Sequence, residues 1–133
     1  MAKQVKKVVT KKKKGGAVVT EHGRVYITAT FNNTLVTVTN DKGDTLSWSS
    51  SGARGFKGAR KSTPYAASIA TDESLKKVIE KGMKSADIFV KGPGSGRESS
   101  MRAIKSSGIG MRSISDITPM PHNGPRAKKK RRV

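Results

Sequence analysis

The sequence predicts a single α/β domain: a mixed sheet, with elements in the order ββββ-α-β-α-β, set between two basic arms. Three observations lead there. Period-two runs rich in Val, Ile, Thr and aromatic residues fill the first half of the chain. Two helix starts and stops are legible in the second half, each followed by another short period-two run. The charge is segregated: residues 1–16 and 120–133 hold 13 Lys/Arg and no acid, whereas residues 17–119 hold 15 Lys/Arg against 9 Asp/Glu. Of the net +19, the arms supply +13 and the body +6.

Lys11, Lys12, Lys13 and Lys14, followed by Gly15-Gly16, close the first arm. Ala17–Thr20 reads as a short first strand, Glu21-His22-Gly23 as a turn, and Arg24–Phe31 as a second strand. Asn32-Asn33 is a turn pair able to adopt positive φ. Thr34–Thr39 is a third strand, Asn40–Asp44 a hairpin loop and Thr45–Ser49 a fourth strand, completing an antiparallel meander. After a Gly-rich stretch, Thr63 takes the N-cap and Pro64 the first helical position. That helix is expected to run to about Gly82, with Leu75, Val78, Ile79 and Gly82 turned inward. Ala86–Lys91 is a strand and Gly92-Pro93-Gly94 a turn. Ser95 and Glu98 have the spacing of a capping box. The second helix, with Met101, Ile104 and Lys105, ends at Gly108, and Met111–Ile117 alternates as the last strand. A strand-helix-strand unit implies parallel pairing across a right-handed crossover. Thr118–Pro121 leads into the second arm.

The domain boundaries follow: a basic arm over 1–16, an α/β body over 17–119, and a Pro-rich then basic arm over 120–133. A body of this size buries a core without staples. There are no cysteines, which removes disulfides and thiolate metal sites and fits a reducing compartment. No apolar run is long enough to span a membrane, and the N-terminus has neither Arg nor the apolar block of a targeting segment, so a cytoplasmic protein is expected. The arms repel themselves and bury almost nothing apolar; they are expected to be disordered until a polyanion orders them. Membrane binding would need bulky apolar residues beside the basic ones, which the arms lack. The partner class is therefore nucleic acid, RNA above all.

Besides Lys11, Lys12, Lys13 and Lys14 of the first arm, three segments are candidates for RNA contact. Residues 50–62 hold Arg54, Lys57, Arg60 and Lys61 with no acid, together with Ser62, several glycines and the aromatics Trp48 and Phe56 at the flanks. Glycines let a backbone approach phosphates, cations neutralise them, and the stretch ends on a helix N-terminus. The spacing is not that of a P-loop. The second segment is Lys91, Gly92, Gly94, Gly96 and Arg97, again a Gly-rich turn into a helix; Arg97 stands where a dinucleotide fingerprint needs its third Gly. If the sheet brings both helix starts to one edge, they form one phosphate-binding face. The third segment is the tail, His122, Asn123 and Arg126 followed by Lys128, Lys129, Lys130, Arg131 and Arg132. A metal-dependent nuclease would need carboxylates gathered around two metals. Asp41 and Asp44 more simply make a turn, Asp87 and Asp116 stand alone, and no Ser/His/Asp or metal set can be argued from spacing. No catalytic residue, metal or cofactor is expected.

The runs GFKGARKSTPYAA, VKGPGSGRES and DITPMPHNGPRAKKKRRV, in this order and spacing, closely resemble the bacterial branch of the universal S-eleven family of small-subunit ribosomal proteins. The resemblance covers residues 17–133. It implies a three-layer α/β/α domain with a ribonuclease-H-like mixed five-stranded sheet, without nuclease activity. It also implies a structural constituent that bridges helices of 16S rRNA on the platform and helps form the cleft for the Shine–Dalgarno duplex near the mRNA exit. Small-subunit proteins seven, eighteen and twenty-one would be neighbours, with initiation factor three nearby and no homo-oligomer. By motif, Gly55, Phe56, Lys57, Gly58, Arg60, Lys61 and Ser62 match the basic loop. Lys91, Gly92, Gly94, Gly96 and Arg97 match the turn, and His122, Asn123, Gly124 and Arg126 the tail. Ser95 replaces a Pro, Pro125 and Ala127-Lys128 replace a Cys and a Pro-Pro, and Arg54 adds a charge that suggests one more phosphate contact.

The composition alone would also allow a free nucleic-acid chaperone or a DNA-compacting protein; cofractionation with 30S particles separates that alternative from a ribosomal protein. Asn123-Gly124 carries a chemical liability as well, because Gly leaves attack on the Asn amide unhindered. Isoaspartate at Asn123 is the expected product in aged protein. Peptide mapping that finds only unmodified Asn123 after prolonged incubation at mildly alkaline pH would remove the expectation.

Overall fold

Alternating β-branched and aromatic residues pair early in the chain, and the two strands they form organise everything after them. The computed structural model describes residues 16–133. β1 (His22–Ala29) runs antiparallel to β2 (Thr34–Asn40), which runs antiparallel to β3 (Thr45–Ser50). Two short 3-10 turns, Gly52–Arg54 and Gly58–Ser62, lead into α1 (Pro64–Ile79). β4 (Ser85–Lys91), α2 (Gly96–Ser106) and β5 (Gly110–Asp116) complete the chain's regular structure. The sheet order is β3-β2-β1-β4-β5, with β4 parallel to both β1 and β5. The domain is thus α/β with a mixed five-stranded sheet and two helices.

Several expectations change here. Ala17–Thr20 is not a strand: Val18 is exposed and its carbonyl accepts from Asn40 Nδ2 at 3.2 Å, so this segment lies irregularly beside the hairpin. Glu21-His22-Gly23 is not a turn, because parallel pairing with β4 begins at His22↔Ser85 and draws His22 and Gly23 into β1. Gly23 suits that place: a Cβ there would stand 2.6 Å from the Thr39 carbonyl. The Asn32-Asn33 turn has no residue at positive φ. Thr30 closes it instead, its N–H donating to the Asn33 carbonyl at 2.8 Å and its hydroxyl oxygen accepting from the Asn33 N–H at 3.0 Å. The Asn40–Asp44 loop forms as expected, with Asn40 Oδ1 accepting from the N–H groups of Lys42 and Asp44. α1 stops at Ile79 rather than Gly82; Gly82, at φ +106°, turns the chain out of the helix.

The layering also differs from the expected α/β/α. β3 and β4 point the same way, since two antiparallel steps separate β3 from β1. Both crossovers, β3-α1-β4 and β4-α2-β5, therefore join parallel strands and advance in the same direction across the sheet. Right-handed crossovers of that kind put both helices on one face. α1 and α2 pack against each other there, and the core lies between them and the sheet. Val25, Ile27, Val36, Val38, Ala86, Ile88 and Val90 point inward against Leu75 and Val78 of α1 and Ile104 of α2. Each large side chain buried this way stabilises the fold by about 1.5–3 kcal/mol. The opposite sheet face has no helix among the described residues.

α1 crosses β2 and β3 through small residues, Ala66, Ala67 and Ala70, which lets backbone and sheet approach closely. On its inward side β3 offers Ser47 and Ser49, buried hydroxyls with no hydrogen-bond partner among the described residues. Ser49→Ala should accordingly leave stability unchanged or raise it by about 1 kcal/mol, because an orphan hydroxyl is removed. Denaturant unfolding that shows a loss of more than about 1 kcal/mol would mean that the hydroxyl is bonded.

Candidate nucleic-acid interface

Because β3, β1, β4 and β5 are parallel to one another, their carboxyl ends lie on one edge of the sheet. The 51–63 connection, the 92–95 turn and the tail after β5 all leave from that edge. In open α/β sheets this is the edge where ligands bind. The two Gly-rich segments touch there: Ser95 Oγ donates to the Ser62 carbonyl at 2.6 Å. This bond replaces the expected capping box. Ser95 makes no side-chain cap to α2, and Glu98 pairs with Arg102 at 3.5 Å instead. Thr63 does cap α1, accepting from the Ala66 N–H at 3.4 Å behind Pro64. The N-termini of both helices, with their partial positive charge, thus lie side by side.

The basic loop is built rather than slack. Gly55 at φ +88° and Gly58 at φ +59° allow its two 3-10 turns to reverse. Phe56 is half-buried, edge-on to Tyr65 at 6.0 Å, and does not enter the core. Arg54 pairs with Glu73 of α1 at 3.4 Å, which braces the loop. Lys57, Arg60 and Lys61 have no carboxylate partner among the described residues. Asn32, Gly58, Ala59, Lys61 and Ser62 line an open depression of about 430 Å³ beside them.

The second segment divides differently. Gly92, Gly94 and Gly96 are close-packing positions: a Cβ on each would stand 2.2–2.3 Å from the Ala29 carbonyl, the Thr30 carbonyl and Thr34 Oγ1, respectively. The N–H groups of Gly92 and Gly94 are already donated, to Thr118 Oγ1 at 3.1 Å and to the Ala29 carbonyl at 2.9 Å. Arg97 donates to the Gly92 carbonyl at 2.6 Å and pairs with Asp116 at 2.7 Å. Asp116 is therefore not isolated. Thr118 first and Arg97 second hold its carboxyl well below the usual carboxylate range. Lys91 is exposed and unpaired among the described residues.

At the other edge, Asp87 is not isolated either. Its Oδ1 accepts from Ser113 Oγ at 2.9 Å and its Oδ2 meets His22 Nε2 at 3.0 Å; these bonds lower its pKa. Ser85 Oγ is 3.0 Å from His22 Nδ1. The register, not spacing, brings together residues more than sixty positions apart. His122, Asn123, Arg126, Lys128, Lys129, Lys130, Arg131 and Arg132 are exposed on a segment without helix or strand, in which Asn123 adopts φ 58°. Lys11–Lys14 lie outside the described residues. Among the described residues no three His, Cys, Asp or Glu side chains are grouped to hold a metal, and no helix is long and apolar enough to cross a membrane.

The model of the family described as Ribosomal protein S11 matches residues 23–132. The chain belongs to this family. The "Small ribosomal subunit protein uS11c" of Mesostigma viride is 52% identical over 133 residues, covering all of both chains. The protein of the same name from Trieres chinensis is 51% identical, again over the whole of both. S11-family membership makes the chain a non-enzymatic structural constituent of the small ribosomal subunit that binds 16S rRNA and serves translation. The Ser85–His22–Asp87–Ser113 chain is accordingly a tie across β4, β1 and β5 rather than a catalytic triad.

Both lowered carboxyls predict a pH dependence of one sign. A depressed native pKa contributes stability that is present above the unfolded value, about 3.9 for Asp, and lost as pH falls below it. Thermal melts of the full chain should therefore fall from pH 5 to pH 2. Asp116→Asn and Asp87→Asn should each start lower at pH 5 and fall less. Parallel pH profiles for variant and wild type would show that these bonds do not hold the native state.

Proposed function

We propose that the carboxyl edge of the sheet is the phosphate-binding face through which this protein bridges helices of 16S rRNA. Lys57, Arg60, Lys61, Ser62 and Lys91 work from the body. His122, Asn123, Arg126, Lys128, Lys129, Lys130, Arg131 and Arg132 work from the tail, and Lys11–Lys14 from the other arm. The observation that carries this reading is the shared edge: the basic loop, two helix N-termini and the root of the tail lie together, with loop cations that no carboxylate neutralises among the described residues. Such contacts position RNA by its backbone and shape. In this reading residues 1–16 and 120–133 are arms ordered by RNA around the 17–119 body.

The same reading takes the protein to the platform of the subunit, in the cytoplasm. It helps line the cleft for the Shine–Dalgarno duplex near the mRNA exit, beside small-subunit proteins seven, eighteen and twenty-one and near initiation factor three. Support comes from the family and from the three motif runs. The strand order β3-β2-β1-β4-β5 supports the ribonuclease-H-like description of the sheet.

Binding of the full chain to a 16S rRNA platform fragment, measured at several salt concentrations, tests the assignment. Replacing Lys57, Arg60 and Lys61 by Gln should flatten the log–log salt slope by roughly 0.7–0.9 for each phosphate left without its cation. An unchanged slope and affinity would remove the loop from the interface. Equal affinity for an unrelated duplex would favour a general nucleic-acid binder.

A further inference from the structure

The sheet face without a helix holds half of the chain's six aromatic residues. Trp48 pairs with Thr37, Thr37 with Tyr26, and Tyr26 with Phe89, so Trp48, Thr37, Tyr26 and Phe89 form one row across four strands. At about 4.8 Å per strand the row is roughly 14 Å long. All four point away from the core, since their neighbours Ser47, Ser49, Val25, Ile27, Ile88 and Val90 are the buried ones. Trp48 is 62% exposed on the edge strand.

The ring geometry is specific. Tyr26 and Phe89 have centroids 5.1 Å apart and planes within 16°. Two rings cannot lie side by side in one plane at that distance, so they stand upright on the sheet and overlap face to face. Each covers one face of the other. The free face of Tyr26 looks towards the short side chain of Thr37, with Trp48 beyond it; that of Phe89 looks towards Ser115, its register partner on β5. Both ends of the stack therefore open onto small hydroxyl residues. A further flat ring fits there better than an aliphatic side chain.

The charges around the row select the ring. Arg24 precedes Tyr26 and Lys91 follows Phe89, on the same face and on opposite sides of the row. Neither has an ion-pair partner among the described residues. The acids beside this face, Asp87 and Asp41, both stand at His22, at 3.0 and 3.8 Å, and Asp87 is held by Ser113 as well. A partner that supplies flat rings at intervals and negative charge between them is a single strand of nucleic acid, and hydroxyls from Thr28, Thr37 and Ser115 meet its polar edges. A protein docking on this face would cover those hydroxyls and the two cations.

We propose that this open face is a stacking platform for unpaired bases of single-stranded RNA. The inference rests on the RNA-binding reading above but names a second surface, which meets the phosphate-binding edge at Lys91 and on which Trp48, Tyr26 and Phe89 hold bases while Arg24 and Lys91 hold the backbone. It departs from what the aromatic count suggested: six rings are few, yet three of them share one row on the helix-free face, Trp48 exposed and Tyr26 and Phe89 half-buried. Stacking on such rings tolerates any base.

Trp48 is the chain's only tryptophan, so its fluorescence reports this face alone. The full chain is titrated with an oligouridylate of about 12 nucleotides at about 0.3 M salt, a level that suppresses contacts made through phosphates alone. Saturable quenching is the expected result, with a perfect RNA duplex quenching far less. Trp48→Leu, followed by anisotropy of a labelled oligouridylate, should weaken binding about 10-fold, within the range for one base stack removed, whereas Trp48→Phe should keep most of the affinity. Leu preserves apolar bulk at an exposed edge position, so loss with Leu and retention with Phe separates stacking from simple hydrophobic contact. Equal affinity of the Leu and Phe variants, or oligouridylate binding without quenching, overturns the platform. So does quenching by polyglutamate or by protein concentration alone, which would make the face a protein-docking or self-association surface. The same samples are assayed on the 16S rRNA fragment. Retained fragment binding with no Trp48 response removes only the platform, whereas loss of both removes the RNA-binding reading with it.

Discussion

The fold depends on one constraint: both crossovers join parallel strands and advance the same way across the sheet. Handedness then leaves no choice of layer, and both helices must cover one face. Everything useful follows from that geometry. The helix N-termini and the tail gather on the carboxyl edge. The basic loop gathers there too, because it is the connection from β3 to α1. Among the described residues the second sheet face carries no helix, because neither α1 nor α2 can reach it.

Within the carboxyl edge, some polar residues bond to one another and others face outward. Arg97, Asp116 and Thr118 lock the start of α2 to the end of β5, and Gly92, Gly94 and Gly96 let the turn pass against β1 with no side chain between. Ser95 then fastens that turn to the basic loop. Arg54 belongs to this internal set through Glu73. The remaining loop cations, Lys57, Arg60 and Lys61, are left to solvent. A Gly-rich basic motif read from sequence mixes two populations, one that shapes the site and one that faces outward, and the partner of each guanidinium is what separates them.

Most elements were legible because local chemistry decides them. Thr63-Pro64 starts a helix by capping and fixed φ, Asn40 and Gly43 close a hairpin, and period-two runs make β2 and β4. What sequence could not show was non-local. Gly23 reads as a turn residue until β4 pairs alongside it. Ser95 and Glu98 have capping spacing, yet a carbonyl thirty-three positions away takes the Ser95 hydroxyl. The number of layers depended on the direction of β3 relative to β4, which is a count of antiparallel steps rather than a property of any segment. The site followed the same rule. The cations were found by composition, but the contact of the two Gly-rich segments and the row of rings from Trp48 to Phe89 exist only in the register.

The charge distribution implies that an anionic partner stabilises this protein. The carboxylates of the body are largely engaged locally: Glu21 with Lys84, Glu73 with Arg54 and Lys77, Glu98 with Arg102, Asp116 with Arg97, and Asp87 with His22. Few remain to offset 28 Lys/Arg, so the free chain carries its +19 as self-repulsion. Exposed ion pairs return little, typically under about 1 kcal/mol each. A bound polyanion offsets part of that repulsion, and any ligand that binds only the native state stabilises it further by mass action. The same excess that strains the isolated fold therefore makes RNA its natural counterion.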